Sequence, residues 1–141
     1  MQTQSNSHFI IFSEYVFILL PFIVLLIVKI NESNGAGFFS MADWSFAASI
    51  LYGQALVKFT AGSVNRKSTQ WQRVVFIISL ITVLGLVPSL VVLALVLISD
   101  CVSAFLQALQ MTNFVLSTVV FILLGGAGQK MIDDGNSSDI K

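Results

Sequence analysis

The chain has 141 residues, 56% of them hydrophobic and 10% charged, with seven basic residues balancing seven acidic ones. Its mean hydropathy is +0.90. That much apolar surface cannot be hidden in one core of this size, so the composition excludes an ordinary soluble domain and points to a bilayer. The neutral balance gives no sign of nucleic acid as a partner.

A bilayer span takes about 20 mainly apolar residues. Residues 9–30, "FIIFSEYVFILLPFIVLLIVKI", form the first predicted span. The preceding "MQTQSNSH" has no Lys or Arg and no small-residue cleavage site follows, so a retained span is expected rather than a signal peptide. The second span, 38–60, is less pure, because "ADWSFAASILYGQALVKF" keeps Asp43, Gln54 and Lys58. The third, 74–98, contains Gly85 and Pro88, read as a bend. The fourth, 101–125, begins semi-polar and ends apolar. The expected fold is therefore an all-α integral membrane protein, a single bundle of four transmembrane helices over residues 9–126. Residues 1–8 and 127–141 are read as tails, the latter mobile, and 61–73 as a loop.

Basic residues set the expected orientation. Lys58, Arg66, Lys67 and Arg73 flank the second connection, Lys130 and Lys141 lie near the C-terminus, and only Lys29 falls on the other side. This asymmetry places both ends and the 61–73 loop in the cytoplasm, with the chain multi-pass in the inner membrane. Trp44 is assigned to an outer interfacial belt, and Tyr15 and Trp71 to an inner one.

An ionisable group at the centre of a span costs about 2.5 to 3.5 kcal/mol, so each needs a partner, a wet cavity or a task. Glu14 and Lys29 are fifteen residues apart in the first span, and Asp43 and Lys58 repeat that spacing in the second. At about 100° per residue, both members of each set fall within roughly 60° on their helix. Antiparallel packing then pairs Glu14 with Lys58 and Lys29 with Asp43, about 22 Å apart along the axis. Gln54, one turn before Lys58, is expected within reach of Glu14, and Pro21 between the charges is a source of kinking. Two readings stand: a clasp of ion pairs, or a proton or cation site at Glu14. Ser45, Ser49 and Gly53 add a small-residue ridge that lets another backbone approach.

In the fourth span Ser103, Gln107, Gln110 and Ser117, with Asn113 beside them, make a polar stripe. Lipid cannot satisfy amides, so they must face a protomer, water or another helix of the same chain. A homo-oligomer with this helix at its axis, with a tetramer as the suggested order, is the expectation; interhelical bonding inside one chain is the alternative.

Catalytic chemistry is sparse. His8 and Cys101 are the only residues of their types, so one chain cannot build a zinc, haem or iron–sulfur site, nor an internal disulfide. No Walker, Rossmann or HExxH pattern occurs, and the polar segments are too short for a catalytic domain. No enzyme activity and no cofactor are expected.

Residues 43–59, "DWSFAASILYGQALVKF", together with the basic loop, resemble small bacterial inner-membrane proteins, including the four-span membrane subunits of anti-phage defence systems of the Kiwa type. The resemblance implies a subunit that oligomerises, senses membrane disturbance and holds a cytoplasmic partner. A second likeness, confined to Glu14 in the first of four short helices, is to small multidrug-resistance transporters. The leading expectation is a non-catalytic, homo-oligomeric sensor or scaffold. Its soluble partner would dock on Arg66, Lys67, Trp71, Arg73 and the C-terminal tail. A small ion channel or proton-coupled transporter using Glu14 and the fourth-span stripe is the alternative.

Overall fold

The computed structural model describes residues 3–31, 43–65, 70–99 and 102–138, and every regular element among them is helical. Helix α1 spans Thr3–Asn31, α2 Asp43–Asn65, α3 Trp71–Ile81, α4 Val87–Ile98, α5 Ala104–Val120 and α6 Gly126–Ser138. A π-helical turn at Thr82–Leu86 joins α3 to α4, and another at Phe121–Gly125 joins α5 to α6. Each pair is thus one unbroken rod.

The two rods, Trp71–Ile98 of 28 residues and Ala104–Asp133 of 30, are long and apolar enough to cross a membrane. In α1 the apolar stretch Phe9–Val24 is shorter. Helix α1 continues through Pro21.

Helix α2 is the spine of the bundle. Ser45, Ala47, Ala48, Ser49, Leu51, Tyr52, Ala55, Phe59 and Ser63 are all buried along it. It packs against both rods and against α1. The residues that meet fix the directions. Ser49 lies beside Ser89, and Tyr52 against Gly85, so the α3–α4 rod is antiparallel to α2. Trp44 packs edge-on to Phe114, ring centroids 5.1 Å apart, and Gly62 meets Gly128 further along, so the α5–α6 rod is parallel to it. These small and polar side chains of α2 face neighbouring helices, while Phe46, Gln54, Val57 and Val64 lie on an exposed strip of the same helix. The exterior is the reverse: Phe17, Phe76, Leu84, Leu97, Phe105 and Leu123 stand exposed on the surrounding helices.

Both π turns have a local use. Pro88 has no amide hydrogen and its ring crowds the carbonyl four residues back, so a widened turn before it relieves the helical ladder. That turn presents Gly85 to α2, where a Cβ would stand 2.6 Å from the ring of Tyr52. The second turn likewise presents Gly125 toward the stem of Lys58.

The expected boundaries shift at one end of the bundle. Helix α2 continues to Asn65 and α3 begins at Trp71, which shortens the expected 61–73 loop. Residues 126–138 are helical where a mobile tail was expected. The cause is packing: α6 closes on α2 at Gly62 and Gly128, and this contact extends order past the apolar run.

Candidate functional site

Lys58 is the centre of the polar cluster where α1, α2 and α6 converge. Its side chain is 12% exposed, and its ammonium forms an ion pair with Glu14, whose side chain is 42% exposed. The Lys58 Nζ also donates to Gln129 Oε1 at 3.4 Å. Gln129 Nε2 in turn donates to Asp133 Oδ1 at 3.1 Å, one helical turn along α6. The cluster therefore runs carboxylate, ammonium, amide, carboxylate. The ammonium lies between an anion and a neutral acceptor.

Glycine makes this convergence possible. A Cβ on Gly62 would lie 2.4 Å from the Gly128 carbonyl oxygen, and one on Gly128 would lie 2.4 Å from that of Lys58. Backbone sits on backbone, which brings Gln129 within reach of Lys58. The α1 side is held by Ile11, Leu51, Ala55 and Phe121, with Tyr15 and Ile18 packed against them.

The other expected positions fall differently. Gln54 is exposed, and the amide that bonds Lys58 is Gln129 instead. Helix α6, read as a tail from the sequence, supplies that amide. Asp43 opens α2, where a carboxylate meets the positive end of the helix dipole. The side chain of Lys29, its expected partner, lies outside the described residues.

The polar stripe of the fourth span turns inward. Gln110, Asn113 and Ser117 are buried within the chain, where α5 packs along α2. The Tyr52 hydroxyl donates to Asn113 Oδ1 at 3.4 Å, and the Ser117 hydroxyl donates to the Phe114 carbonyl at 2.8 Å. This arrangement differs from the expected protomer axis, because these three side chains are buried within the chain and Tyr52 of α2 supplies a polar partner to Asn113. Ser103 takes a separate role as N-cap of α5, accepting from the Leu106 amide at 3.3 Å, and Gln107 is half-buried.

The small-residue ridge meets the α3–α4 rod at two of its three positions. The Ser49 and Ser89 hydroxyls are 2.9 Å apart, and each is within donating distance of the Ser45 carbonyl, at 2.9 and 3.1 Å. One hydroxyl can donate to the carbonyl while the other donates to the first. Gly53 faces open space.

Of the expected docking residues, Trp71 and Arg73 are exposed at the start of α3, while Arg66 and Lys67 lie outside the described residues. Tyr15, assigned to an interfacial belt, is instead engaged inward. Its hydroxyl is 3.4 Å from Thr118 Oγ1 and its ring stacks on Phe121, centroids 6.3 Å apart. Sequence reasoning missed Gln129, Asp133 and the Gly62–Gly128 crossing. The available signal was "GGAGQ", residues 125–129, a run of small residues followed by an amide immediately after the last apolar stretch. No family model matches the chain, and no curated protein or solved structure matches it.

Proposed function

We propose that the chain is a multi-pass protein of the inner membrane, a non-catalytic sensor or scaffold that holds a soluble cytoplasmic partner. One observation carries the reading: a helix with a buried polar face, its lysine neutralised inside the chain, packs among helices whose outer faces are apolar. Large contiguous apolar surfaces on a soluble monomer are rare, and a bilayer is the surrounding that removes their cost. In that surrounding four helices span, and the positive excess orients the Lys58 end to the cytoplasm.

At that end Trp71 and Arg73 are exposed, and Arg66 and Lys67 precede them closely in the sequence, giving an aromatic anchor in a basic segment for a partner. Self-association would use the apolar outer faces, because the buried amides of α5 are turned toward α2. The likeness of residues 43–59 to anti-phage membrane subunits is the basis for placing this activity in bacterial defence.

Transport is the second reading, favoured by the partial exposure of the Glu14 carboxylate. It requires water along a path through the bundle, whereas Gln110 and Ser117 have no exposed surface. The scaffold reading predicts that reversing the charges of Arg66, Lys67 and Arg73 together releases co-purifying cytoplasmic protein while the variant remains in the membrane. Unchanged co-purification, together with ion flux in liposomes that Glu14→Gln abolishes, would instead establish transport.

A further inference from the structure

A groove of about 720 Å³ runs along the exterior between α1 and the α5–α6 rod. Phe9, Phe12, Ile122, Leu123 and Ala127 are among the residues that line it, with Tyr15 and Lys130 as its polar ones. Gly126 also borders the groove and brings no side chain into it. From Ile122 to Lys130 the distance along the helix is about 12 Å at 1.5 Å per residue. One leaflet contributes about half of a hydrocarbon core of roughly 30 Å, so the groove fits within a single leaflet.

Lys130 is exposed and, among the described residues, makes no ion pair. Of the described carboxylates at this end of the bundle, Glu14 pairs with Lys58 and Asp133 accepts from Gln129, while the side chain of Asp134 lies outside the described residues. An apolar channel one leaflet deep, ending in an exposed ammonium on a flexible apolar stem, matches a molecule with a hydrocarbon chain and one anionic head.

We infer that this groove binds one anionic phospholipid, its acyl chain along Phe12, Ile122 and Leu123 and its phosphate on Lys130. The inference rests on the membrane reading above. A neutral lipid fills the channel without compensating the lysine, and free phosphate leaves the channel unfilled.

The test uses the full chain purified in detergent and titrated with phosphatidylglycerol or phosphatidylcholine of identical chains, with retention read by native mass spectrometry. The wild type should retain phosphatidylglycerol in preference. Lys130→Gln should lower that retention about fivefold and leave phosphatidylcholine unchanged. Ala127→Phe, which plugs the channel, should lower both, and added inorganic phosphate should not compete. Equal retention of the two lipids by the wild type, or retention that neither substitution alters, overturns the lipid site. So does an Ala127→Phe variant that breaks a protomer contact with lipid retention intact. Alkaline washing of membranes reports the premise separately: a wild type that resists extraction keeps the membrane reading whatever the lipid result, and one that is released overturns both.

Discussion

Gly62 of α2 and Gly128 of α6 cross so closely that a Cβ on either would stand 2.4 Å from a backbone oxygen of the other helix. Backbone cannot yield as a side-chain tip can. Gly62→Ala and Gly128→Ala should therefore each destabilise the bundle by about 1 to 3 kcal/mol, the range for overpacking. Gly53→Ala is the contrast on the same helix, because nothing lies within 4 Å of its Cβ position. That change should stabilise by up to about 1 kcal/mol through helix propensity. Thermal unfolding in one detergent compares all three.

Gly85 and Tyr52 form a second tight contact, this time between backbone and a buried ring. Gly85→Ala should cost about 1 to 3 kcal/mol by displacing the ring. Tyr52→Phe removes only the hydroxyl that donates to Asn113 and should cost about 0.5 to 1.5 kcal/mol. If Gly85→Ala were the milder of the two in the same melt, the close approach would not be what holds α2 to the π turn.

Asn113 separates burial from polarity. Its Oδ1 accepts from Tyr52, while its Nδ2 is buried with no hydrogen-bond partner. Asn113→Leu exchanges a half-satisfied amide for a similar apolar volume and should shift stability by no more than about 1.5 kcal/mol. Asn113→Asp places a carboxylate against α2 and should cost several kcal/mol. Equal tolerance of both would mean that water reaches this face of α5, the condition that transport needs.

Much of the helical layout can be read directly from hydrophobic runs, and the Glu14–Lys58 contact from two fifteen-residue spacings on antiparallel helices. The presence of an irregularity near Gly85 and Pro88 follows from backbone chemistry alone. What a single sequence does not carry is the identity of the covering neighbour. Gln54 and Gln129 are both amides at plausible reach of Lys58, and only the Gly62–Gly128 crossing decides between them. For the same reason the stripe of Gln110, Asn113 and Ser117 reads equally as outward or inward until α2 is known to lie beside it. The low hydropathy of α2 held that answer, since a polar helix among apolar ones belongs at the centre.

The Lys58 cluster clasps α1 and α6 to α2, and a charge-exchange cycle in purified protein measures that clasp. Glu14→Lys and Lys58→Glu should each lower stability by about 1 to 3 kcal/mol, between the limits for exposed and buried pairs. The double exchange should recover most of that loss, because the Gln129 amide can turn to donate to a carboxylate at position 58. A double variant as unstable as the two single losses added together would contradict the clasp.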